Sequence, residues 1–117
     1  MQYTEKFQTM ADAARAQVKE TAPEDVDKLA AEGAVILDIR DSEEHARDHI
    51  PGAINLSRGK LEMLVESKIP DLETPILCYC NAYNRGSLSA AALQSMGYRN
   101  VSVIAGGLKA YRALERR

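Results

Sequence analysis

The chain has no tryptophan, one phenylalanine and only two cysteines, and no aliphatic run longer than the four residues Ala34-Val35-Ile36-Leu37. A bilayer takes roughly 20 consecutive apolar residues, so no segment here spans one. The N-terminal stretch MQYTEKFQTM lacks the apolar centre of a secretory signal. A cytoplasmic protein without a membrane partner is expected. Cys78 and Cys80 are separated by one residue, so a bond between them would close a very small strained ring. A structural disulfide is therefore not expected, which agrees with a reducing compartment. The two histidines, His45 and His49, lie far from that pair in sequence and complete no zinc set. No metal and no cofactor is expected. Aromatics make up 5% of the chain and form no stacking platform, which argues against a nucleic-acid partner.

What is present describes one soluble domain. A length of 117 residues with 45% hydrophobic and 27% charged side chains supports a real core and excludes disorder. The net charge of −2 conceals an uneven distribution. Residues 1–84 carry nine basic and sixteen acidic side chains, whereas 85–117 carry six basic and one acidic. The basic residues are scattered over several elements, a pattern that fits a solvated face with a small-anion site.

Phe7, Met10, Ala11, Ala14 and Val18 share one helical stripe, which predicts an amphipathic helix over residues 4–19 packed on the domain. A second helix starts at Thr21-Ala22-Pro23-Glu24-Asp25 and ends at Gly33. Ala34 to Ile39 reads as a strand buried on both faces, as in a parallel sheet. Asp41 and Glu44 have capping-box spacing and open a helix to about Asp48, followed by a turn over His49 to Ala53. A short strand at 54–56 and a helix at 60–67, with Leu61, Leu64 and Val65 inward, come next. Strands at 76–79 and 101–104 flank a helix from Ser87 to Met96, and a last helix runs from Leu108 to Leu114. Alternating strands and helices predict an α/β domain with a mostly parallel sheet.

The chemistry concentrates in Cys80-Asn81-Ala82-Tyr83-Asn84-Arg85-Gly86-Ser87, between a buried strand and an Ala-rich helix. A thiol there meets backbone N–H groups, a helix N-terminus and the cation Arg85, all of which favour the thiolate. Cys80 is the candidate nucleophile. Cys78, inside the apolar strand, reads as a core residue.

Leu37-Asp38-Ile39-Arg40 with Glu44, then His49-Ile50-Pro51-Gly52-Ala53-Ile54-Asn55, then residues 80–87, and finally Gly97-Tyr98, Asn100-Val101 and Gly106-Gly107-Leu108 resemble the ordered signatures of the single-domain rhodanese family. The resemblance covers about residues 21–117, leaving 1–20 as an added helix. It implies a three-layer α/β/α fold with a mostly parallel central sheet, and thiosulfate sulfurtransferase activity through a persulfide. The partners would be a small anionic sulfur donor and a thiol or cyanide acceptor, with a protein acceptor also open.

Sulfur transfer needs a nucleophile soft enough to attack an S–S bond, a task for which a thiolate is suited. Arg85 and the N–H groups of Asn81, Ala82, Tyr83, Asn84, Gly86 and Ser87 are the expected cradle for the donor's charge. Asp38 and Arg40 read as a supporting pair at a strand end, and His49 as a donor that steadies the turn. Two alternatives remain: a sulfur-relay or protein-interaction module, and a cysteine-based phosphatase or arsenate reductase. The dual-specificity phosphatases that the rhodanese fold resembles have five residues between Cys and Arg. Here four intervene, Asn81 to Asn84, and the loop has no Asp as general acid. The smaller ring suits a sulfur atom better than a phosphoryl group.

Overall fold

The computed structural model describes residues 2–115. Helices α1 (Glu5–Gln17), α2 (Val26–Ala31), α3 (Ser42–Arg47), α4 (Leu61–Lys68), α5 (Asn84–Ser95) and α6 (Gly107–Leu114) alternate with strands β1 (Lys19–Thr21), β2 (Val35–Asp38), β3 (Ile54–Asn55), β4 (Ile76–Tyr79) and β5 (Val101–Ile104). The strands form one sheet in the order β1-β5-β4-β2-β3, and every pairing is parallel. From β2 the chain moves outward to β3, and from β4 it moves the opposite way to β5. The reversal lies between β2 and β4, and the carboxyl ends of strands at such a point open a crevice where ligands bind.

The period of two along β4 divides the core. Ile76, Cys78 and Cys80 join Leu61 and Val65 of α4 and Ala90 and Leu93 of α5 in one cluster. Leu77 and Tyr79 join Val26 of α2 and Leu108 and Tyr111 of α6 in the other. Strands covered on both faces carry the near-continuous aliphatic runs read from the sequence. Helix α1 forms a further layer, packed on α5.

Several expectations shift. The edge strand β1 is absent from the sequence pattern, because Lys-Glu-Thr has neither an apolar run nor an alternation. It pairs with β5 through Thr21↔Ile104, and so straddles the division drawn at residue 20. Only Ala11 and Ala14 of the α1 stripe are buried, while Met10 is 62% exposed. Leu64 of α4 is likewise exposed. The second helix begins as a 3-10 turn at Pro23–Asp25 and becomes α-helical at Val26. Helix α5 begins at Asn84, three residues before Ser87, which shortens the loop after Cys80.

Two glycines fix how closely the elements around that loop approach. A Cβ on Gly86 would lie 2.9 Å from Val103 Cγ2, so the first turn of α5 sits directly on β5. Gly107 has φ +59°, and a Cβ there would lie 2.4 Å from the Cys80 carbonyl oxygen and 2.8 Å from that of Ala82. Gly107→Ala is therefore expected to destabilise the domain by about 3 kcal/mol, through overpacking and a left-handed backbone. Urea unfolding checks this, and a midpoint equal to the parent's would show that the contact between α6 and the loop gives way freely.

Candidate active site

Cys80 follows β4, the middle strand, and its loop is held from one side by the start of α6. The Leu108 N–H donates to the Cys80 carbonyl at 2.9 Å, and the Lys109 N–H donates to the Asn81 carbonyl at 3.2 Å. The peptides of the described residues are all trans, so the N–H groups of Asn81 and Ala82 point away from α6. Helix α5 starts at Asn84, where the N–H groups of its first turn have no carbonyl of their own helix to meet. The Ser87 N–H is not among them, since it donates to the Tyr83 carbonyl at 2.8 Å. The geometry gathers a thiol, free amides and the positive end of a twelve-residue helix at one place.

Beneath the loop lies a charged frame. The wholly buried Asp38 carboxylate accepts from Arg40 Nε at 3.0 Å and Arg40 Nη2 at 2.8 Å, and from the Tyr79 hydroxyl at 3.1 Å. His45 Nδ1 lies 2.8 Å from the same carboxylate. Burial alone would raise the Asp38 pKa, but these hydrogen bonds, led by Arg40, outweigh it and hold the carboxyl below its usual range. Arg40 Nη1 continues to the Asn81 side-chain oxygen at 3.2 Å, and the Asn81 amide donates to Glu44 Oε2 at 3.2 Å. Glu44 also accepts a fork from Arg85, at 2.7 and 3.0 Å, and the Asp41 N–H at 3.2 Å. Its pKa falls from 4.5 to about 2, chiefly because of the Arg85 hydrogen bond, with burial opposing.

A pocket of about 370 Å³ opens over this loop, lined by Cys80, Asn81, Ala82, Tyr83, Asn84 and Arg85 together with α1 and Lys109 of α6. Cys80 is only 3% exposed at its base. Arg85, expected to meet the donor's charge, lines this pocket and also holds both terminal nitrogens against Glu44, which pins α5 to α3. Gly86 and Ser87 do not line the pocket. Gly86 faces β5, and the Ser87 hydroxyl is buried inside the domain with no hydrogen-bond partner. His49 donates from Nδ1 to the His45 carbonyl at 2.8 Å and stacks on that ring at 3.9 Å, away from the pocket. Cys78 lies wholly within the core, and burial pushes its thiol up to about 12.

The sequence reading missed part of the site. Glu44 was legible as a helix-capping residue and as part of the signature that follows Asp38 and Arg40, but neither reading placed it against Arg85. The α1 residues Gln8 and Arg15 and the α6 residue Lys109 reach the pocket through tertiary packing and carried no local signal.

A family model described as a rhodanese-like domain matches residues 22–114. The chain belongs to the rhodanese-like family. It is a rhodanese-type enzyme by its curated relatives as well. The thiosulfate sulfurtransferase GlpE of Pseudomonas entomophila is 36% identical over 97 residues, covering 83% of this chain and 87% of that protein. The thiosulfate sulfurtransferase PspE of Escherichia coli is 33% identical over 73 residues, which is 62% of this chain and 69% of that one. Among solved structures, the human single-domain sulfurtransferase TSTD1 superposes with a TM-score of 0.71 at 27% identity, over 84% of this chain and 96% of that one. A Rhodopseudomonas palustris protein of unknown function, described as a possible tyrosine phosphatase, gives 0.85 at 29% identity, over 98% of this chain and 95% of its own.

The Glu44–Arg85 fork gives the rhodanese frame an acid limit. A carboxylate whose pKa is lowered on folding stabilises the fold above its unfolded value of about 4.5, and that contribution disappears as pH falls toward about 2. Thermal midpoints should therefore drop between pH 5 and 2, and the difference between the parent and Glu44→Gln should shrink over that interval. A difference that stays constant with pH would show that the ionised carboxylate is not what holds Arg85.

Proposed function

We propose that the protein moves a sulfane sulfur from thiosulfate or a similar anionic donor to a thiol or cyanide through a persulfide on Cys80. The observation that supports it best is the position of Cys80, at the base of a pocket where loop amides and the α5 N-terminus converge. The GlpE relatives, named thiosulfate sulfurtransferases, point to the same donor. In the first half-reaction the Cys80 thiolate attacks the outer sulfur of thiosulfate, the S–S bond breaks, and sulfite leaves with the bonding pair. The terminal sulfur of the resulting persulfide carries the negative charge, which the amides face. In the second, an acceptor thiolate attacks that sulfur, Cys80 departs as thiolate, and the acceptor carries the new S–S bond.

The buried frame sets the loop's shape, so the backbone needs no reorganisation as charge arrives. Arg85 contributes its positive charge at the loop while remaining fixed to Glu44. Both cysteines are free, which fits a reducing compartment such as the cytoplasm. No helix among the described residues is long and apolar enough to cross a membrane.

Phosphate-ester chemistry is disfavoured by the four-residue spacing between Cys80 and Arg85. Intact-mass measurement after exposure to thiosulfate should show one added sulfur, mapped to Cys80. Cys80→Ser should gain none and turn over no thiosulfate, and Cys78→Ser should retain most activity. Sulfur carried by the Cys80→Ser protein, or aryl-phosphate cleavage by the parent faster than thiosulfate consumption, would overturn this reading.

A further inference from the structure

Helix α1 lies outside the matched family region, yet it forms one wall of the pocket over Cys80. Two contacts fasten it there. Gln8 and Asn84 exchange amide hydrogen bonds, Gln8 Nε2 to Asn84 Oδ1 and Asn84 Nδ2 to Gln8 Oε1, both at 3.1 Å. Arg15 sets its guanidinium carbon over the Tyr83 ring, 3.5 Å from the centroid, which gives a reason for an aromatic residue in this loop. Arg15 Nε donates to Glu20 at 2.8 Å, so the side chain is held from below and from one edge while its two terminal nitrogens form no hydrogen bond among the described residues. Across the pocket stands Lys109, whose ammonium is in no salt bridge among the described residues. The carboxylate on this wall, Asp12, accepts from Gln8 Nε2 at 2.9 Å.

Arg85 spends two of its five N–H groups on Glu44, whereas Arg15 keeps both terminal nitrogens, and Lys109 its ammonium, without a hydrogen bond among the described residues and so free for an incoming anion. We propose that α1 is a specificity wall of this enzyme, and that Arg15 and Lys109 receive the carboxylate or sulfonate end of a small sulfur compound whose sulfur end reaches Cys80. The favoured acceptor is then a low-molecular-weight thiol bearing a carboxylate. A pocket of about 370 Å³ with Cys80 at its base has room for such a small molecule. Arg15 is a positioning residue on this account, since it meets the substrate's far end and not the reacting sulfur. Glu20 is ion-paired with Arg15 and Asp12 adds a second negative charge to this wall, so the selection for an anion rests on Lys109 and on the terminal N–H groups that Arg15 still has to offer.

The inference deepens the sulfurtransferase reading, but its test is independent of turnover. Cys80 would be alkylated with iodoacetate and with iodoacetamide, which share a reaction and differ by one carboxylate, and the modified site confirmed by peptide mass. The ratio of the two rates reports the charge of the pocket. Arg15→Gln and Lys109→Gln should each lower the iodoacetate to iodoacetamide ratio by roughly 5-fold, as expected for losing one nearby partly solvated charge. Arg15→Lys should restore most of it, and added salt should lower the parent's ratio. Unchanged ratios in both Gln variants would overturn the proposal. Circular dichroism identifies a variant that has lost its fold, in which case Lys109→Gln, on a different helix, decides alone. With sulfur-loaded enzyme, the KM for 3-mercaptopropionate should rise in Arg15→Gln while that for 2-mercaptoethanol stays near the parent value. Failure of Cys80 to load sulfur would count against the transfer reaction, and the alkylation ratio would still decide whether α1 confers charge selectivity.

Discussion

The buried Asp38 carboxylate is the constraint from which the candidate site is built. A full charge without solvent contact is costly to bury unless it is paired and hydrogen-bonded, and Asp38 receives Arg40, Tyr79 and His45 around its two oxygens. The Tyr79 hydroxyl in turn accepts the Ile50 N–H, which ties β4 to the chain leaving α3. Arg40 carries the frame outward to Asn81, and Glu44 takes both Asn81 and Arg85. Elements β2, α3, β4 and α5 are thereby locked to one loop, largely by groups that do not line the pocket. Replacing a single member would leave its partners buried and unpaired, so the frame is expected to act as a unit and not as a sum of pairs.

The fold was largely legible because its signals are local or periodic. Continuous aliphatic strands, a Pro at one helix start and glycines after helix ends carry information within a few residues. The parallel sheet follows from alternation of elements. What stayed hidden depends on neighbours distant in sequence. β1 is three polar or amphipathic residues that become a strand only because β5 offers a free edge. Met10 sits on the predicted periodic face of α1 and is nevertheless exposed, whereas Ala11 and Ala14 are buried, and a periodicity of side chains does not tell where the covering neighbour ends.

The candidate site divides in the same way. Cys80 and its loop can be picked out from composition and spacing, and the resemblance to a known family reinforced them. The role of Arg85 could not be read, since a cation near a nucleophile suggests a ligand contact and only the structure places Glu44 against it. Ser87 looked like the first residue of a helix and therefore a donor to an anion. The helix begins three residues earlier, which turns the Ser87 amide inward to Tyr83. Tyr83 had no evident purpose until Arg15, sixty-eight positions away, was found stacked upon it.

Cys78 of β4 and Cys80 just after it belong to the same core cluster, and the first is sealed in the core with its thiol held protonated. Oxidation of Cys80 to a sulfenic acid thus finds no resolving thiol within its own chain, because a buried neutral thiol two residues away in extended backbone is a poor attacking group in a poor geometry. Rescue of the oxidised enzyme has to come from outside, through the same opening that admits sulfur acceptors. If the acceptor is a small thiol, as proposed above, the same molecule would serve as acceptor in transfer and as reductant in repair, and exhaustion of that thiol pool would stop the enzyme and expose it to irreversible oxidation together.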